Sequence, residues 1–458
     1  MRGRFSGWIL LSVLAIGVCR GAERPNFLVI LADDLGAAEL ACYGNTEHRT
    51  PNLDRLAARG VRFETAFACP VCHPSRFMIM TGQYATHNGV YNFPNSRGGP
   101  AVKDEGPDDI TAHRTFLNLL HDAGYRTAVA GKWQLSGTQP NLIFECGVDA
   151  YRCWGYQEYY TPEDQNLAKL AGIVFRSRYW RPSIIDNGHW LPTTLDDYGE
   201  DRFADFVIDF MRQNRERPWL AYYPMVLTHN PWLPTPAMSP TAEEKEQNGR
   251  QHFAANVEYL DQVVGRVLAA LEELGEAEET VVIFTGDNGT GFRGKSTATE
   301  LGARVPMIVA GPQVRARPAT KELTDLSDVL PTICELAGVA LPQDRPLDGK
   351  SLAPFLRGQT ASGPREWVFS YQGDYRILRT KRWLLENNTP SKPGRLFDCG
   401  EARDGRGYRE VTDVPDAESR AARAMFDKLL LDLPAPVIEF DGPPNGPKDP
   451  IGKRRKQP

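Results

Sequence analysis

The densest chemistry in the chain lies in Cys69-Pro-Val-Cys72-His73-Pro74-Ser75-Arg76, continued by Phe-Met-Ile-Met-Thr81-Gly82. Proline suits a first helical position, which needs no backbone N–H and favours its fixed φ. The spacing therefore predicts a helix opening at Pro74, with Cys72 and His73 just before its N-terminus. Free N–H groups and the helix dipole favour a bound anion there. Arg76 adds a fixed cation with forked donors. A nucleophile beside an anion is one reading. Two cysteines three apart also suit a disulfide pair, half of a metal site, or buried packing.

Two apolar runs end in oxygen donors. Asn26-Phe-Leu-Val-Ile-Leu-Ala runs into Asp33-Asp34, and Thr280–Thr285 runs into Gly286-Asp287-Asn288-Gly289. Such donors suit a hard divalent ion, Ca²⁺ or Mg²⁺. Taken singly, each also reads as an Asx turn or a helix cap. Lys132 and His229 follow further strand-like runs, and Lys295 lies in the Gly-rich turn after Thr280–Thr285. Alone, such residues are solvated lysines or a satisfied histidine. Together the segments describe a metal-assisted site for an anionic substrate.

The elements that must carry these residues alternate. Continuous apolar runs at 26–32, 219–227 and 280–285 read as buried parallel strands, and strand ends are the usual ligand crevice of an open sheet. Thr50-Pro51 opens a short helix that Gly60 stops. Further helices are expected at Phe116–Gly124, Asp201–Gln213 and Asp325–Gly338, and strands at Tyr125–Ala130 and Val305–Ala310. Phe253–Leu274 is the clearest amphipathic helix, with Leu260, Val264, Val267 and Leu271 near one side. From about 137 to 200 the pattern is poor, which predicts irregular, substrate-shaping loops. This alternation argues for an α/β sheet covered on both faces. After about 365, short strands at Trp367–Tyr371, Tyr375–Thr380 and Trp383–Glu386, then a helix near 416–431, predict a small antiparallel subdomain.

The chain has 458 residues and a formal charge of -5, so it can bury a large core and is no general nucleic-acid binder. Residues 1–23 read as a secretory signal, with a basic start, the apolar Trp8–Val18 run and small residues near Gly21-Ala22. That run is short for a membrane span, and no later segment reads as one. The expectation is an exported protein, periplasmic or secreted. Cys19 raises lipoprotein anchoring, against which Val18 counts. With Cys19 removed, seven cysteines remain, so at least one lacks an intramolecular partner. Cys146 and Cys153 are candidates for a local disulfide.

Cys72-His73-Pro74-Ser75-Arg76 with Thr81-Gly82 resembles the signature of the type I formylglycine-dependent sulfatases, arylsulfatase-like enzymes of the alkaline phosphatase superfamily. In that signature Cys-x-Pro-Ser-Arg directs oxidation of the cysteine to an aldehyde. Further blocks resemble the family in the expected order: Ala32-Asp33-Asp34-Leu35-Gly36, Gly131-Lys132-Trp133, Thr228-His229-Asn230-Pro231, Gly286-Asp287-Asn288-Gly289, Lys295 with Glu300 to Pro306, and Asp348-Gly349-Lys350-Ser351-Leu352. The resemblance covers roughly residues 25 to 430.

It implies an alkaline-phosphatase-like fold, with a mixed, mostly parallel sheet between helices and a small C-terminal antiparallel subdomain. The implied division is a signal at 1–23, a catalytic domain at 24–365, the subdomain at 366–433 and an extended tail at 434–458. Asp33, Asp34, Asp287 and Asn288 would bind Ca²⁺, or less fittingly Mg²⁺, with an oxygen of modified Cys72 (3-oxoalanine). Arg76, Lys132 and Lys295 would orient the formylglycine and neutralise sulfate oxygens. His229 would contact the ester and protonate the leaving alcohol. A hydrated aldehyde forms a sulfate ester that collapses by C–O cleavage, regenerating the aldehyde.

Where the family commonly has histidine two residues after the lysine, this chain has Gln134, which can donate a hydrogen bond to sulfate but is no base near neutral pH. Neighbouring His73 is a conceivable substitute. Glu300-Leu301-Gly302 replaces the usual Glu-Gly-Gly. The implied partners are a sulfated small molecule or glycan and a formylglycine-generating or anaerobic sulfatase-maturing enzyme. A phosphonate or phosphodiester hydrolase of the same superfamily and a non-catalytic glycan-binding descendant are the rival expectations.

Overall fold

The computed structural model describes residues 24–93, 109–135, 142–156, 160–414 and 416–436. The expected signal at 1–23, with Cys19, lies outside the described residues, as does the tail beyond 436. Eleven strands form one sheet: β1 Asn26–Ala32, β2 Val61–Phe67, β3 Arg126–Gly131, β4 Ala150–Trp154, β5 Ile184–Asp186, β6 His189–Leu191, β7 Trp219–Pro224, β8 Thr280–Gly286, β9 Arg304–Val305, β10 Met307–Ala310 and β11 Arg317–Asp325. Their order is β11-β2-β10-β8-β1-β7-β3-β4-β5-β6, with β9 on β2. β5, β9 and β10 run against the other strands, so the sheet is mixed and mostly parallel.

β1 shows why the centre is apolar throughout. Alternate residues of a strand face opposite sides of the sheet. Phe27, Val29 and Leu31 join one core with Phe77, Ile79, Leu117 and Leu330. Leu28, Ile30 and Ala32 join a second core with Phe203, Val207, Leu260, Val264 and Leu271. The first core is roofed by the helices Cys72–Thr81, Phe116–Asp122 and Val329–Ala337, the second by Pro51–Arg59, Gly199–Gln213 and Phe253–Leu274. A strand buried on both faces cannot alternate apolar with polar, hence the unbroken runs.

A separate antiparallel sheet follows in sequential order: β12 Trp367–Gln372, β13 Tyr375–Thr380, β14 Trp383–Asn388, β15 Arg395–Asp398 and β16 Arg409–Glu410. The helix Ala417–Leu429 closes it, capped where the Asp416 side chain accepts from the Ser419 N–H.

Several expectations are corrected. The cysteine helix opens at Cys72, not Pro74. Pro74 is its third residue and still lacks nothing, because the first four N–H groups of a helix have no partner within it. The loop-only reading of 137–200 misses β4, β5, β6 and the helix Pro162–Leu170. β5 and β6 are three residues each, too short for a period, and the helix buries only Ala168. β11 carries no apolar run, since six of its nine residues face partly or fully outward as Arg317-Pro-Ala-Thr-Lys-Glu322. Cys146 and Cys153 are both unpaired thiols buried in the first core, so the local disulfide is absent. Burial pushes the Cys146 thiol up to about 12.

Candidate active site

Neighbouring strands deliver their loops to one edge of the sheet. After β1 the chain turns with Asp34 in the left-handed region, φ 59°. The Asp33 N–H donates to the Leu227 carbonyl at 2.8 Å, and the Asp33 carbonyl accepts from the Thr228 N–H at 2.6 Å. After β8 the Asp287 N–H donates to the Ala32 carbonyl at 2.9 Å. After β3 the Lys132 N–H donates to the Pro224 carbonyl at 2.6 Å. This close approach requires glycine at 131: its φ is 110°, and a Cβ there would stand 2.1 Å from the Pro224 oxygen. Backbone bonding between loops thus fixes the spacing of Asp33, Asp287, Lys132 and the His229 segment.

Cys72 is the first residue of a fully buried helix. The turn before it is folded by Ser75, whose hydroxyl accepts from the Cys69 N–H at 2.9 Å and lies 3.1 Å from the Cys69 and Val71 carbonyls. One turn along, Arg76 is fully buried. Its guanidinium donates to Asp287 Oδ2 and to the Lys132 carbonyl, both at 2.7 Å, and lies 3.8 Å from Asp33 Oδ1.

Lys132 Nζ donates to Asp33 Oδ2 at 2.7 Å. Lys295 Nζ reaches both Asp34 oxygens, at 2.7 and 3.0 Å. His229 Nε2 lies 3.8 Å from Asp34 Oδ2, while its Nδ1 pairs with the Asn230 carbonyl at 2.6 Å. The Asn288 amide donates to Asp34 Oδ1 at 2.9 Å.

Three carboxylates therefore face the cations of Arg76, Lys132 and Lys295, with Arg178 at the margin, 4.0 Å from Asp33 Oδ2. Burial alone would raise Asp33, but Lys132, His229, Arg76 and Lys295 outweigh it and hold Asp33 far below the carboxylate range. Burial, with the Asp33 charge behind it, pushes Asp287 up to about 6, against the pull of Arg76 and Lys132. Lys295 rises because Asp34, Cys72 and Asp33 overcome its burial. His229 falls to about 4, chiefly through burial, aided by Lys132 and Arg178 against Asp33 and Asp34, so it is neutral at pH 7.

Two oxygens in this cluster are left over. Asp33 Oδ1 and Asn288 Oδ1 are buried and accept no hydrogen bond. Buried acceptors are nearly always paired, so orphans of this kind ask for a cation. Asp33, Asp34 and His229 each offer a ligand atom within 4.8 Å of the others. An oxygen-rich set of carboxylates and an amide fits a hard divalent ion. Adding one would leave the site strongly positive and ready for an anion.

Of the residues singled out in the sequence, Asp33, Asp34, Arg76, Lys132, His229, Asp287, Asn288 and Lys295 are joined by these contacts. Cys72 heads the helix that carries Arg76, one turn before it. Gln134 is not joined to them: its Oε1 is buried without a hydrogen bond, and its carbonyl meets His73 Nδ1 at 3.1 Å. His73 packs edge-on against Phe77 and Phe93.

Sequence reading overlooked Glu200 and Tyr179, which hold the His229 loop. The Glu200 carboxylate accepts from the Val226 and Leu227 N–H groups at 2.9 and 3.0 Å, and from the Tyr223 hydroxyl at 2.6 Å. The Tyr179 hydroxyl donates toward the Val226 and His229 carbonyls. A signal existed: Glu200, Phe203, Ala204, Val207 and Met211 share one buried helix face, and an acid does not belong there without a task.

The mostly parallel sheet, with acids and cations gathered at its carboxyl edge, defines a hydrolase site for an anionic ester. The chain belongs to the Sulfatase family, which it matches over residues 25–339, and is a sulfuric ester hydrolase. Human arylsulfatase A is 35% identical over 79% of this chain and 73% of its own length. The N-acetylgalactosamine-6-sulfatase of Canis lupus familiaris is 30% identical over 81% and 73%. Among solved structures, Ps i-CgsB in complex with k-i-k-neocarrahexaose superposes with a TM-score of 0.71 at 24% identity, over 90% of this chain and 92% of that one.

Proposed function

We propose that this sulfatase hydrolyses a sulfate monoester on a carbohydrate, using Cys72 oxidised to formylglycine and one Ca²⁺. The observation that carries the reading is the pair of orphaned oxygens, Asp33 Oδ1 and Asn288 Oδ1, within the charge cluster around Arg76. Asp33, Asp34, Asp287 and Asn288 would hold the ion. Calcium fits better than magnesium because the protein itself supplies most of the oxygens, whereas Mg²⁺ keeps several waters. When present, the two groups supply a hydrated-aldehyde nucleophile and extra positive charge on the substrate.

The remaining work falls to the chain. Arg76 and Lys132, locked by Asp287 and Asp33, fix the nucleophile's side of the site before substrate arrives, and such preorganised charge lowers the barrier most. Lys295, 19% exposed, stands where it can turn from Asp34 to a sulfate oxygen. His229 is neutral in the resting site. A sulfate oxygen against it favours the protonated ring, which can then give its proton to the leaving alcohol. The carbohydrate substrate draws support from the name of the canine relative and from the saccharide bound to Ps i-CgsB. Export through residues 1–23, and maturation by a formylglycine-generating or anaerobic sulfatase-maturing enzyme, complete the proposal.

The test is protein co-expressed with a maturation system. The Cys72 peptide should lose about 18 Da as a thiol becomes an aldehyde. The same sample should release sulfate from members of a sulfated-saccharide panel. Full conversion with turnover only on phosphate esters would replace the reading by the phosphoester hydrolase. Glycan and Ca²⁺ binding without turnover would replace it by the binding descendant.

A further inference from the structure

The Tyr151–Trp190 region carries four arginines, and the structure separates them. Arg152 is spent on Asp186, with donors at 2.8 and 2.5 Å. Arg181 turns to the Ala171 carbonyl. Arg176 is exposed, over the Tyr156 ring at 5.1 Å. Arg178 alone of the four reaches the acids: its Nη1 lies 4.0 Å from Asp33 Oδ2, the oxygen that Lys132 also holds.

Resting on the sulfatase reading above, we infer that Arg178 is a further sulfate-binding residue, whose guanidinium contacts the sulfuryl oxygens beside Lys132. Its position is fixed from below, because the guanidinium stacks on the Trp154 ring at 4.1 Å. It is fixed from behind too, because the adjoining Tyr179 is tied to the carbonyls of Val226 and His229. Yet two of its three nitrogens make no hydrogen bond. The side chain is only 13% exposed, and Nε and Nη1 are buried without an acceptor among the described residues.

A structural arginine looks different here. Arg365, its side chain only 1% exposed, bonds through all three nitrogens to Asp328, Tyr84 and Asp325. A buried donor left unpaired is costly enough to demand an explanation, and a forked cation at 4.0 Å from a shared carboxylate is explained by an anion that arrives later. Gln134 supplies no charge where the family commonly has histidine. Arg178 supplies one from a different segment.

The probes are inorganic sulfate as a competitive inhibitor and a matched pair of aryl sulfates, one neutral and one with a carboxylate on the leaving group. They are used with converted, Ca²⁺-loaded protein. Arg178→Met keeps an apolar stem on Trp154, and Arg178→Lys keeps the charge without the fork. Met is expected to weaken sulfate inhibition at least about tenfold, the range of a charge-assisted hydrogen bond. It should lower kcat/KM equally on both esters, with Lys recovering part of each loss.

Inhibition within about twofold of the unaltered enzyme would overturn the inference. So would a loss confined to the carboxylate ester, since Arg178 would then read a neighbouring anion. An unaltered, fully converted enzyme inert on every sulfate ester would instead overturn the parent reading.

Discussion

At the scale of single residues, the site sets three carboxylates against Arg76, Lys132 and Lys295, with Arg178 beside Asp33 and two oxygens to spare. A ligand that binds only the folded state stabilises it in proportion to the logarithm of its concentration, about 2.7 kcal/mol at a hundredfold excess over Kd. Calcium should therefore raise the melting temperature, and a chelator should reverse the rise. Asn288→Ala removes an orphaned oxygen and should abolish most of the calcium-dependent increment; an undiminished increment would place the ion elsewhere.

His229 is testable through its leaving group. His229→Ala should slow a sugar sulfate roughly 10²- to 10⁴-fold, the usual worth of a positioned acid. With 4-nitrophenyl sulfate, whose phenolate leaves unaided, the loss should be at least about tenfold smaller by the same reasoning. Equal losses on both esters would remove the acid role.

At the scale of elements, position depends on groups that never touch substrate. Glu200 is fully buried, and burial pushes its carboxyl up to about 7, against the bonds from Tyr223, Leu227 and Val226 that pull it down. The sign follows from proton binding. Between the unfolded value of 4.5 and the folded value of about 7, the native state holds a proton that the unfolded chain has lost. This contribution is full below pH 4.5 and is lost as pH rises through 7. Glu200→Gln cannot titrate. Its stability relative to the parent should improve by on the order of 3 kcal/mol between pH 4.5 and 8, whatever its offset at low pH. Denaturant melts at four pH values would show this, and a flat difference would exclude it.

The same scale explains what the sequence made legible. β1, β7, β8 and the helix Phe253–Leu274 were readable because burial on both faces, or on one helical stripe, leaves a pattern. The cluster Asp33, Asp34, Asp287 and Asn288 was readable because those strands end in it. β5 and β6 are too short for a period, β11 is largely exposed, and Arg178 owes its place to tertiary stacking on Trp154 that no spacing encodes.

At the scale of the whole molecule, the C-terminal sheet bears on the cysteine helix as well as closing the chain. On β12, the Ser370 hydroxyl donates to the Ala68 carbonyl at 2.6 Å, just before the Cys69 turn. Glu386 on β14 accepts from the Glu300 N–H at 2.6 Å, and Arg379 on β13 pairs with the Glu300 carboxylate at 3.1 Å. Arg365 stands at the junction. It is almost fully buried, holds Asp325 and Asp328 at 3.2 and 2.5 Å, and meets the Tyr84 hydroxyl at 3.0 Å. Tyr84 follows the end of the cysteine helix, so one guanidinium ties β11, the Val329–Ala337 helix and the helix of Cys72 to the second sheet.

Removing one partner of a buried ion network leaves the others charged and unpaired, at a cost of about 3–5 kcal/mol. Arg365→Met should therefore lower the urea midpoint by a corresponding amount while leaving the calcium-dependent increment in place. It should also slow conversion-independent steps little in the fraction that remains folded, because Arg365 touches none of the site acids at β1 and β8. A variant with an unchanged midpoint would show that the Arg365 network adds nothing to the tie between the sheets, leaving it to the Ser370 and Glu300 bonds and to packing through Phe67, Leu323, Val368 and Ile377.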